Sequence, residues 1–274
     1  MPDPPGPGGS RGAGEPPRSN SERGFIPRER KTRAILLDVE GTTTPVDFVT
    51  RVLFPYARER LRDFLIRRAP SDRAIHDELA VLFSERQADE RAGQSPPPWR
   101  VGTPEEVLDS AAAYVHWLMD RDRKSTALKA LQGRIWEEGY QAGHLRGQVY
   151  PDVPRAFARW RAQGRDLAIF SSGSVLAQKL LFSRSEAGDL TPFLRGFYDT
   201  TTGAKGDPES YRKIAARLGQ APAAVLFLSD VTAELDAARA AGIATALCVR
   251  GGNPSAPSGH PVVRSFDEVL AQPE

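Results

Sequence analysis

The chain has 274 residues, 40% of them hydrophobic, and 37 Lys and Arg stand against 35 Asp and Glu for a formal net charge of +2. This length accommodates one core plus one inserted or appended module. The balanced charge, without a basic run interleaved with aromatics, gives no reason to invoke nucleic acid or a lipid surface, and no stretch approaches the roughly 18 apolar residues of a membrane helix.

In chain order, residues 1–31 are dense in Pro, Gly, Arg and Ser and poor in apolar side chains that could offset ordering entropy. They are expected to form a disordered tail. Its acidic residues and prolines break any amphipathic targeting helix, and it lacks the apolar segment of a secretory signal, so a cytoplasmic protein is expected. Ala34-Ile35-Leu36-Leu37 is a short continuous apolar run that stops at Asp38, the pattern of a strand buried on both faces and hence of a parallel sheet.

Residues 45–149 show helical periodicity and no convincing strand. Within them Pro55–Ala69 and Ser110–Tyr140 carry apolar positions at helical spacing, separated by a polar, proline-rich loop over Gly93–Pro98. Trp117 and Trp136 read as packing residues of this segment rather than as a ligand platform. A helix is expected through Val153, Phe157 and Trp160, ended by Gly164. Strands are expected at Asp166–Phe170, Ala224–Leu228 and Ala244–Val249, with helices at Glu209–Leu218 before Gly219 and about Ala233–Ala241 before Gly242.

The last strand holds the only cysteine, Cys248, which reads as a small apolar strand residue and excludes an intrachain disulfide. Strands alternating with such helices predict a doubly wound α/β parallel sheet, whose ligands gather beyond the carboxyl ends of the strands. The expected division is a tail over 1–31, a core from 32–44 and 150–274, and an all-helical insertion over 45–149.

Polar clusters follow the expected strands. Asp38 and Glu40 follow the first, Ser171 and Ser172 the second, Lys205 lies ahead of a helix, and Asp230 and Glu234 follow the strand that ends at Leu228. Each alone has a structural explanation: an Asp or Ser at a strand end caps the next helix, and a loop lysine is solvated. Together they would bring a nucleophile, hydroxyl donors, a cation and further carboxylates to one rim. The histidines, His76, His116, His144 and His260, are scattered and offer no close-spaced pair for zinc.

Asp38-Val39-Glu40-Gly41-Thr42 resembles the first motif of the haloacid dehalogenase superfamily, in which an Asp, one residue and a second acid precede Gly-Thr. Several segments are closer still to the enolase-phosphatase (acireductone synthase) family of methionine salvage. These are Glu40 in place of the usual Asp with Thr43-Thr44-Pro45 after it, Ser171–Ser174 with Ala177–Phe182, Asp122–Lys129 with Leu131-Gln132-Gly133, and Phe227–Thr232.

The resemblance implies a Rossmann-like core with a helical cap, an aspartyl-phosphate on Asp38, and Glu40 as general acid or base. It also implies one Mg2+ per subunit held by Asp38, Asp230 and the Glu40 carbonyl, Ser171, Ser172 and Lys205 as phosphate ligands, and Glu234 in support of the metal waters or Lys205. The implied reaction converts 5-methylthio-2,3-dioxopentyl phosphate to 1,2-dihydroxy-5-(methylthio)pent-1-en-3-one and phosphate, by enolisation and then hydrolysis, in a monomer. Gly206-Asp207-Pro208 after Lys205 departs from the family's more polar loop. Two other readings stand beside this one: a phosphatase of the same fold acting on another small ester, and a non-catalytic phospho-acceptor module, which would be smaller and lack the insertion.

Overall fold

A computed structural model describes residues 32–251 and 259–271. The expected tail over 1–31 lies outside the described residues. Six parallel strands form one sheet in the order β3-β2-β1-β4-β5-β6. They are β1 (Ala34–Leu37), β2 (Asp166–Phe170), β3 (Leu194–Tyr198), β4 (Val225–Ser229), β5 (Ala244–Cys248) and β6 (Val262–Val263).

The four expected strands are present as β1, β2, β4 and β5. The unexpected β3 and β6 are the two edges, where one face or one end of a strand meets solvent and the apolar run is short or interrupted. Leu194-Arg195-Gly196-Phe197-Tyr198 is half-exposed, and β6 is two residues long.

Alternate strand residues face opposite layers. Ile35, Leu37, Leu167, Ile169, Leu226 and Leu228 join one core with the helices α6 (Val153–Ala162) and α7 (Val175–Ser183). Ala34, Leu36, Ala168, Phe170, Val225 and Phe227 join a second core with α8 (Pro208–Arg217) and α9 (Thr232–Ala240). Each buried aliphatic side chain is worth about 1.5–3 kcal/mol, which makes β1, fully inaccessible along its length, the firmest point of the sheet.

Between β1 and α6 the regular elements are all helices: α1 (Val46–Phe48) runs into a π-helical stretch (Val49–Leu53), followed by α2 (Phe54–Arg68), α3 (Arg73–Arg91), α4 (Pro104–Met119) and α5 (Thr126–Gln141). The first core continues into this segment through Phe48, Leu61, Leu118 and Ile135, and α5 packs on α7. The helical spacing read over 110–140 is divided between two helices, α4 and α5. Asp122 takes a left-handed φ of 47°, and the Ser125 side chain accepts from Leu128 N to start a new helix. Among the described residues no helix is long and apolar enough to cross a membrane.

Candidate active site

β1 and β4 are neighbours in the sheet, with Leu37 opposite Leu228, so Asp38 and Asp230 emerge side by side from their carboxyl ends. Asp38 N still donates to Leu228 O at 3.0 Å, and Thr43 Oγ1 donates to Asp38 O at 3.1 Å. After Asp38 the backbone winds into a tight turn in which Thr42, Thr43 and Thr44 all direct their N–H groups at Val39 O. Gly41 is required there. Its φ is +70°, and a Cβ would lie 2.2 Å from Asp230 Oδ2, so only a residue without a side chain lets the turn lie against that carboxylate.

The Lys205 ammonium joins the cluster from the loop before α8. Its Nζ lies 2.5 Å from Asp38 Oδ1 and 2.6 Å from Glu234 Oε2. Glu234 is oriented in turn by Ser229 Oγ, 3.0 Å from Oε2. Asp207 caps α8 by accepting from Glu209 N, and Tyr211 OH donates to Lys205 O at 2.7 Å, which fixes the lysine loop despite its unusual Gly206-Asp207-Pro208 sequence.

On the other side β2 delivers Ser171, buried, whose Oγ accepts from Gly173 N at 3.0 Å and lies 3.4 Å from Glu40 Oε2. The helix that follows begins at Val175, with the Ser174 side chain as its cap. The sheet thus brings Asp38, Glu40, Ser171, Lys205, Asp230 and Glu234 to one rim, with Ser172 beside Ser171.

Negative charge exceeds positive at this rim. Burial raises the Asp38 carboxyl far above its ordinary range, Glu234 and Glu40 add to the rise, and Lys205 opposes it. Burial raises Asp230 as well, helped by Glu234 and Glu40. Lys205 is raised too: burial works against its charge, but Asp38 and Glu234 outweigh it. One lysine among four carboxylates leaves room for another cation. The available donors are all oxygens, the donor type of a hard divalent ion. Among the described residues no three carboxylate, imidazole or thiolate groups converge as a ready-made metal cluster, so an ion here would draw on main-chain oxygen and substrate in addition to side chains.

Glu40 and the two serines also face a cavity of about 380 Å³ between the helical segment and the core. Its far wall is largely apolar, with Leu53, Phe54, Leu128, Trp136 and Leu181. Trp136, expected to serve packing alone, is a wall of this chamber while its Nε1 donates to Leu53 O at 2.8 Å. A second cavity, of about 590 Å³, lies on the Lys205 side and shares Lys124, Lys129 and Ser172 with the first. Lys129 was given no site role by the sequence, yet its Nζ donates to Ser172 O at 3.1 Å, tying α5 to the serine loop. The one signal that could have pointed to it is its place at the end of the Asp122–Lys129 segment that resembles the enolase-phosphatases.

A model of the haloacid dehalogenase-like hydrolases matches residues 32–242. A curated enolase-phosphatase E1 of Synechococcus elongatus is 52% identical over 236 residues, 86% of this chain and 96% of the relative. The chain belongs to the haloacid dehalogenase-like hydrolases, among the enolase-phosphatases. An enolase-phosphatase E1 of Klebsiella oxytoca is 48% identical over 237 residues, again 86% of this chain and 96% of the relative. The UTR4 protein of Saccharomyces cerevisiae, known by crystal structure, superposes with a TM-score of 0.68 at 32% identity, covering 86% of this chain and 99% of that one. Membership of this family makes the chain a phosphatase-type hydrolase.

Proposed function

We propose that the chain is a bifunctional enolase-phosphatase that converts 5-methylthio-2,3-dioxopentyl phosphate to the acireductone 1,2-dihydroxy-5-(methylthio)pent-1-en-3-one and inorganic phosphate in methionine salvage. The observation that carries this reading is the position of Glu40. Its carboxylate lines the apolar chamber, whereas Asp38, two residues earlier, is turned inward against Lys205. A nucleophile and a proton carrier thus act on opposite sides of one phosphate ester, with the thioether tail directed to Leu53, Phe54 and Trp136.

In the first step Glu40 removes a proton from the carbon that bears the phosphate, the electron pair moves to the neighbouring carbonyl oxygen, and that oxygen takes a proton from solvent to give the enol while Glu40 stays protonated. In the second, an Asp38 oxygen bonds to phosphorus as the ester P–O bond breaks, and Glu40 gives its proton to the departing oxygen. Water, deprotonated by Glu40, then attacks phosphorus and releases Asp38 and phosphate. Ser171, Ser172 and Lys205 hold the phosphate oxygens throughout, and Glu234 keeps Lys205 in place.

One Mg2+ per subunit, held by Asp38, Asp230 and the Glu40 carbonyl, would neutralise the encounter of carboxylate and phosphate dianion. Residues 45–149 act as the cap that excludes bulk water, on a core made of 32–44 and 150–274. We further propose a cytoplasmic monomer with no nucleic-acid or membrane partner. The test is incubation with the diketo phosphate and Mg2+, following enol absorbance and phosphate release together. Phosphate release without enol would favour a phosphatase for another ester, and absence of both would refute the reading.

A further inference from the structure

We propose that Arg250 is a positioning residue for Glu40, acting through the main chain of the turn between Asp38 and Pro45. The proposal rests on the acid–base role given to Glu40 above. That turn satisfies most of its own hydrogen bonds: the N–H groups of Thr42, Thr43 and Thr44 reach Val39 O at 3.2, 3.0 and 2.9 Å, and Gly41 N reaches Thr44 O at 2.8 Å. The Thr42 and Thr43 carbonyls point away from this knot. Arg250 Nε donates to Thr42 O at 2.8 Å, and Tyr150 N donates to Thr43 O at 3.0 Å.

Arg250 stands just past β5, and its side chain is only 7% exposed. Its NH1 lies 2.5 Å from Asp152 Oδ2, and that oxygen also accepts from Phe266 N at 2.6 Å and from Ser265 Oγ at 3.1 Å. The guanidinium carbon lies over two rings, 4.4 Å from the centroid of Tyr150 and 4.3 Å from that of Phe266. One side chain therefore joins the catalytic turn, the segment leading back from the helices at Tyr150–Asp152, the end of β5 and residues 265–266.

A buried ion pair is a poor stabilising device, because desolvation cancels most of its attraction. The informative bond is the one that leaves the pair and ends on the catalytic turn. Glu40 is bridged to Thr44 across that turn, so a shift of Thr42 or Thr43 carries Glu40 with it. Misplacing a reacting group by about 1 Å costs roughly a hundredfold in rate. Lysine could not replace this arginine, since a single ammonium neither presents a planar face to two rings nor donates along two fixed directions.

The experiment compares Arg250→Lys, Asp152→Asn and Glu40→Gln on two substrates: the diketo phosphate, which calls on Glu40 for enolisation, leaving-group protonation and water activation, and p-nitrophenyl phosphate, whose good leaving group departs without a proton and which calls on Glu40 for water activation alone. Arg250→Lys is expected to lower kcat for the diketo phosphate about tenfold or more, with KM changed less than about threefold, and to lower kcat for p-nitrophenyl phosphate much less. Asp152→Asn should follow in the same direction. If Arg250→Lys lowers both rates in one proportion, matching a loss of folded protein by circular dichroism, Arg250 is structural only and the proposal fails. If Glu40→Gln shifts the ratio of the two rates and Arg250→Lys does not, the proposal falls while the functional reading stands. If neither variant shifts the ratio, the role of Glu40 falls and the proposal with it.

Discussion

Lys205 Nζ lies 2.5 Å from Asp38 Oδ1 while also serving Glu234 at 2.6 Å, so one nearly buried cation compensates two carboxylates. Replacing it by Met leaves two carboxylates facing each other with no counter-charge, and one of them must take up a proton at neutral pH. Lys205→Met should therefore lower kcat by about a hundredfold or more. It should also cost about 3 kcal/mol in urea unfolding, the usual loss when one member of a buried pair is removed. A variant with full kcat would remove Lys205 from the chemistry.

Gly41 is the point where the catalytic turn touches Asp230. In Gly41→Ala the left-handed backbone costs about 1 kcal/mol, and the new methyl would meet Asp230 Oδ2 at 2.2 Å unless that carboxylate moves. Titration calorimetry should show Mg2+ affinity reduced about tenfold or more, as expected when a ligand carboxylate is displaced. Unchanged affinity would mean that Asp230 is not a ligand.

Phe54 is partly exposed, stacks on Trp136 with centroids 6.2 Å apart, and lines the apolar chamber. Because it is not in the deep core, Phe54→Ala should leave the thermal midpoint almost unchanged. KM for the thioether substrate should rise about tenfold, the value of a lost aromatic contact of about 1.4 kcal/mol. Turnover of p-nitrophenyl phosphate should change much less. Equal losses on both substrates would place the tail elsewhere.

Asp199 offers a pH test away from the reacting groups. Burial opposes its ionisation, but the Thr201 hydroxyl and the N–H groups of Thr201 and Val175 outweigh this and hold its carboxyl below the ordinary range. A group whose folded pKa is depressed contributes stability above its unfolded value, about 3.9, and loses it as pH falls through the folded value. Asp199→Asn should thus lower urea stability by about 1 kcal/mol at pH 7. The difference from the unmodified protein should shrink on acidification. A gap that stays constant into strong acid would contradict the assignment.

Much of this was legible in the sequence, for identifiable reasons. The strands β1, β2, β4 and β5 are buried runs of apolar residues; Asp38, Ser171 and Asp230 directly follow three of them, Glu40 and Ser172 come within three residues of a strand end, and only Lys205 and Glu234 lie further off. Edge strand β3 gave no such run, because Arg195 and Gly196 interrupt it. The break between α4 and α5 was hidden because a charged stretch such as Asp120–Lys124 also suits a solvated helix face. Lys129 on Ser172, Trp136 in the chamber wall and Arg250 on Thr42 arise where distant segments meet, and no local spacing announces them. Cys248 behaved as its neighbours suggested: it is buried in β5, and burial pushes its thiol up to about 12.

The helical segment leaves the core after Pro45 and returns by Tyr150, and the two crossing points are bonded to each other through Thr43 O. An insert whose two ends meet at one doorway has its entry and exit fixed relative to the strand ends, whatever the length of chain between them.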